Sequence, residues 1–110
     1  MSRHLKCCDA NKLETVKVLY DKLHDSESLE RCSSCNAYWF HRWNEYADFA
    51  ADTETNTDWY TQLTDEEGRA LLDSAERPNL GFLRLGQRPA VCIDEKGAHE
   101  VDGQPEFPWT

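Results

Sequence analysis

A chain of 110 residues is the length of one domain, able to bury roughly two-thirds of its unfolded surface. Its 39% hydrophobic content is low, but four Trp, four Tyr and four Phe supply large apolar groups that a disordered chain lacks. Against 12 Lys and Arg stand 21 Asp and Glu, a formal charge of −9. That balance argues against direct nucleic-acid binding, whose affinity comes from cations on phosphates.

No apolar run approaches the ~20 residues of a membrane-spanning helix. The opening residues Met1, Ser2, Arg3, His4, Leu5 and Lys6 carry no apolar stretch of the signal-peptide kind. The expectation is a cytoplasmic protein without membrane contact.

Along the chain, Asn11 and Glu14 fit a helix start. Leu13, Val16, Tyr20 and Leu23 then follow at the spacing of one helical stripe. Residues 25–28 read as a polar break. Residues 37–43 are rich in aromatics and lean towards a strand, although Trp39, Trp43, Tyr46 and Ala50 also suit a helix face. Residues 52–58 read as an exposed loop or hairpin tip, and residues 59–63 as a second strand. Thr64-Asp65-Glu66-Glu67 is a capping box, with its acids at the positive end of a helix dipole, and predicts a helix to about Ala75. Pro78, Gly81, Gly86 and Pro89 punctuate a connection, and residues 90–101 predict a late hairpin. The expected class is α+β. It is a small single domain over residues 1–103 with a short antiparallel sheet, two helices and a knuckle-like turn, followed by a loose tail at 104–110.

The cysteines are Cys7, Cys8, Cys32, Cys35 and Cys92. An odd number of thiols in a reducing compartment argues against a disulfide framework. Cys32-Ser33-Ser34-Cys35 has the two-residue gap that lets both sulfurs face one ion, and Asn36 follows where a positive φ is often required. This five-residue stretch resembles a zinc-ribbon or rubredoxin-like knuckle. It departs from the usual form, with Ser33 where Pro is common and Asn36 where Gly is common. A structural zinc needs four ligands. The candidates are His4, Cys7, Cys8, Cys32 and Cys35, with one of the adjacent pair Cys7 and Cys8 expected to ligate and His41 in reserve. Cys92, between Val91 and Ile93, reads as a small buried apolar residue.

Two other chemistries compete. Cys32 and Cys35, followed later by Pro78 to Gly86, partly resemble the thioredoxin family, which implies thiol–disulfide exchange. However, Leu29-Glu30-Arg31 precedes Cys32 where that family has an apolar strand and a Trp. Cys92 and His99 can face each other across the late hairpin as a nucleophile–base pair. No G-x-S-x-G, phosphate-binding loop or H-E-x-x-H occurs.

Charge is lopsided. The first 43 residues are near neutral, whereas the remaining 67 carry five basic and fifteen acidic side chains. Residues 44–58 hold Glu45, Asp48, Asp52, Glu54 and Asp58 with no Lys or Arg, and Trp59 lies beside them. Such a face steers towards a basic partner. The reading reached is a non-enzymatic, zinc-tied binding module that inhibits a basic protein through Glu45, Asp48, Asp52, Glu54, Asp58 and Trp59. Bacterial immunity proteins and phage inhibitors offer a comparison of class. The alternatives are a thiol–disulfide oxidoreductase and a structural adaptor subunit.

Overall fold

Most of the described residues pair as strands. The computed structural model describes residues 13–22, 25–48, 53–74, 80–94 and 97–104. Strands β1 (Leu13–Lys22), β2 (Asp25–Cys32), β3 (Tyr38–Asp48), β4 (Thr53–Leu63), β5 (Ala90–Asp94) and β6 (Gly97–Val101) form one sheet in sequence order, every neighbouring pair antiparallel. One helix, α1 (Asp65–Asp73), and two 3₁₀ turns at Leu80–Leu83 and Leu85–Gln87 lie between β4 and β5.

This corrects the expected architecture of a short sheet with two helices. The first expected helix is strand β1. Its pairing with β2 slips between Thr15 and Lys17 and again between Val18 and Tyr20. Each slip adds a residue to one strand, so the apolar positions lose strict alternation and mimic helical spacing. The polar residues 25–28 open β2, and most of residues 52–58 belong to β4. Leu23 lies outside the described residues. The aromatic segment from Tyr38 onward is a strand, as its composition favours, and the late hairpin is present.

Helix α1 starts as its sequence predicts. Thr64 Oγ1 accepts from the Glu67 amide at 3.1 Å, and Glu67 Oε1 accepts from the Thr64 amide at 2.9 Å. At the other end Lys17 Nζ donates to the carbonyls of Leu71 and Ser74, placing a cation on the negative end of the helix. The helix packs very closely on β3: a Cβ added at Gly68 would lie 2.2 Å from the Tyr38 ring. Arg88 reaches Glu67 Oε2 at 2.9 Å and the Gln62 carbonyl at 2.8 Å, tying the loop before β5 to the helix start.

Period-2 alternation gives the sheet two faces. Under the helix, Leu19, Leu29, Tyr38, Phe40, Leu63, Leu71, Leu80 and Leu83 form the larger core. On the opposite face Trp39, Val91 and Ile93 form a smaller cluster with Leu13, Ala37 and Tyr60 against it. Each large apolar side chain removed from water contributes about 1.5–3 kcal/mol. Gln104 is buried and donates to Thr61 Oγ1 at 2.6 Å. Residues 105–110 lie outside the described residues. No helix among the described residues is long and apolar enough to cross a membrane.

Candidate functional site

Three features of the sheet carry chemistry: an imidazole between two carboxylates, a thiol–carboxylate–imidazole group on the last hairpin, and an acidic ribbon.

The imidazole is His41 on β3. Register places it directly between Ser28 of β2 and Tyr60 of β4. Glu30 and Asp58 occupy diagonal positions on its two sides, one towards each end of β3, and alternation puts all three on one face. His41 Nδ1 lies 2.6 Å from Glu30 Oε2, and Nε2 lies 2.6 Å from Asp58 Oδ1. Tyr60 stacks on the ring at 4.3 Å between centroids. Ser28 Oγ donates to the same Glu30 oxygen at 3.0 Å. Burial works against a charged ring, but the two carboxylates outweigh it and raise the His41 pKa to about 9. At neutral pH both ring nitrogens therefore carry protons and donate them. The group is a cross-strand clasp with no free nitrogen to act as a base or, as the sequence reading held in reserve, to ligate a metal.

The second group lies on the β5–β6 hairpin. Cys92 pairs directly with His99, and Asp94 is two residues further along β5, on the same face. Asp94 itself pairs with Gly97, whose φ of +102° suits a residue without a side chain at the turn. One potential ligand atom from each of Cys92, Asp94 and His99 lies within 4.8 Å of the others. Cys92 is buried, Asp94 half-buried and His99 exposed. Burial, joined by the charges of Asp94 and Asp58, pushes the Cys92 thiol up. A thiol held protonated is a poor nucleophile, so these acids count against the nucleophile–base use of Cys92 and His99. The same three donors can hold a metal ion.

The sequence reading placed its metal elsewhere. His4, Cys7 and Cys8 lie outside the described residues. Cys32 is fully buried at the end of β2 and Cys35 is exposed in the following turn, and neither forms a disulfide among the described residues. The Asn36 amide donates to the Cys32 carbonyl at 2.8 Å, and Asn36 has φ 67°, the positive value expected at that position. Among the described residues, only Cys92, Asp94 and His99 form a group of three or more potential ligands. Asp94 was not among the candidate donors read from the sequence. Its signal was present in a Cys-x-Asp pattern on one strand with a His opposite on the return strand.

The third feature is the β3–β4 pair. Strand β2 follows β3 as far as Asn44, and β5 follows β4 only over Asp58, Trp59 and Tyr60. Beyond Asn44 and Thr57, β3 and β4 continue through the register pairs Glu45–Asn56, Tyr46–Thr55, Ala47–Glu54 and Asp48–Thr53. Among the described residues this stretch has no third strand beside it, and it is about 14 Å long. Glu45 and Asp58 share the face of His41, where Trp43 Nε1 donates to Asn56 Oδ1 at 3.2 Å. Trp59 pairs with Arg42 and belongs to the helix face. Asp48 and Glu54 lie within the ribbon strands, and Asp52 lies outside the described residues.

No family model, no curated protein and no solved structure matches this chain.

Proposed function

We propose that this chain is a small acidic binding module, not an enzyme, that engages and blocks a basic protein surface through the β3–β4 ribbon. The observation that supports this reading is a coincidence of shape and charge. The part of the sheet that, among the described residues, runs on as two strands alone falls within residues 44–58, a segment with five acids and no Lys or Arg. A narrow ribbon can enter a groove lined with cations, and its field speeds the encounter. Asp58 is partly committed to His41, so Glu45, Asp48, Asp52 and Glu54 carry the excess charge. In this reading a zinc ion would be held on the β5–β6 hairpin by Cys92, Asp94 and His99 rather than by the Cys32–Cys35 turn.

The test compares capture of binding proteins by the wild-type chain, by Glu45→Lys/Glu54→Lys in the ribbon, and by Asp65→Lys/Asp73→Lys on the helix, two variants of equal net charge. The partner should be lost by the ribbon variant and kept by the helix variant. Its association rate should also fall about tenfold or more between low and physiological salt. Equal capture by both variants, or association indifferent to salt, rejects the reading.

A further inference from the structure

We propose that Cys92, Asp94 and His99 form a three-donor site for one zinc-class divalent ion, with a fourth coordination position open to an exchangeable ligand. This inference deepens the zinc part of the proposed function and does not depend on the acidic ribbon.

The site is made by strand geometry. Cys92 and His99 face each other across a ladder rung, and Asp94 follows at the next position on the same face. The three residues therefore converge within one hairpin, and no distant segment has to be brought in. Around a tetrahedral zinc, donor atoms sit roughly 3.3–3.7 Å apart. Here all separations are within 4.8 Å, and His99, exposed on the last strand, has room to swing inward by the remaining ångström.

The donor set is selective. Thiolate, imidazole and carboxylate together suit zinc and cobalt, whereas calcium and magnesium take oxygen alone. Binding forms an Sγ–metal bond as the Cys92 thiol proton leaves to solvent, while the neutral His99 ring and the Asp94 carboxylate donate lone pairs. The gradient of burial sets the direction of access. Cys92 forms the closed wall and His99 the open one, so the fourth position points outward and is filled by water or by a donor brought by another molecule. Strand β6 pairs only with β5 among the described residues, so the ion would pin the edge of the sheet.

Co²⁺ titrated into the chelator-stripped full chain is a direct probe. The wild type should bind one equivalent with a thiolate-to-cobalt charge-transfer band and tetrahedral visible bands, both displaced by Zn²⁺. Added imidazole should shift the visible bands by taking the open position. Cys7→Ser/Cys8→Ser/Cys35→Ser should keep these signals. Cys92→Ser should abolish the charge-transfer band, and His99→Asn should weaken binding about tenfold or more. Should Cys92→Ser fail to fold, His99→Asn decides alone, because its side chain is exposed and the fold is checked by circular dichroism. No thiolate band in the wild type, a band lost in the triple-serine variant, or unchanged affinity in His99→Asn overturns the site. Visible bands indifferent to imidazole overturn the open position. None of these outcomes bears on the ribbon, whose capture experiment is read without metal.

Discussion

His41 and Arg42 are consecutive residues of β3, yet they anchor two different electrostatic clusters on opposite faces of the sheet. Arg42 pairs with Glu27 of β2 on the helix face, at 2% and 0% side-chain exposure. His41 pairs with Glu30 and Asp58 on the other face, where exposure rises from 9% at Glu30 through 18% at His41 to 28% at Asp58. The contrast teaches which cation each environment permits. The sealed site beside Phe40, over whose ring Arg42 lies at 5.7 Å, holds a guanidinium, whose planar fork suits a buried carboxylate. An imidazole facing one carboxylate there would be pressed towards neutrality by burial. On the wetter face two carboxylates hold the imidazole charged, and the cluster can still exchange its proton with water.

Breaking each cluster should expose that difference. Arg42→Met alone leaves the Glu27 carboxylate buried without its guanidinium and should cost about 3–5 kcal/mol in urea unfolding. A loss under 1 kcal/mol would mean that water reaches the pair. The His41 cluster should respond to pH instead. Its folded-state pKa of about 9 exceeds the ordinary 6.5. The stabilisation is therefore complete below about pH 6.5 and fades as pH rises through 9. Thermal or urea unfolding should lose up to about 3 kcal/mol over that window, and His41→Gln should flatten the profile. Arg42→Met should leave this pH dependence in place. Asp58→Asn removes the more exposed carboxylate, should cost about 1 kcal/mol near neutral pH, and should lower the His41 pKa as followed by its ring proton resonances. The smallest net change is expected for Glu27→Leu/Arg42→Met, near neutral or mildly stabilising, because the desolvation cost disappears with the pair. A double variant as unstable as Arg42→Met would show that the pair contributes more than it costs to bury.

Legibility from the sequence followed the range of each interaction. The capping box of α1 was readable because Thr64 and Glu67 satisfy each other within one turn. The late hairpin was readable from the apolar run Ala90 to Ile93, the polar turn ending in Gly97 and the return stretch to Val101. Strand β1 was misread because two register slips hide its alternation. The first part of β4 was read as a loop or hairpin tip because Thr53, Glu54, Thr55, Asn56, Thr57 and Asp58 carry no apolar pattern, and its order comes from pairing with β3, whereas residues 59–63 were rightly read as strand. Cys92 was rightly read as buried and as facing His99 across the hairpin, whereas Asp94 joins them only once the register puts it on the same face.

The sequence by itself determined the acidic imbalance, the helix start at Thr64 and the existence of the β5–β6 hairpin, since each depends on composition or on residues a few positions apart. Tertiary structure alone decided that His41 is clasped between Glu30 and Asp58, that Arg42 is sealed against Glu27, and that β1 lies at the edge of the sheet among the described residues. Those outcomes depend on which strands become neighbours and in what register. A slip of one residue in pairing would send every one of these side chains to the opposite face.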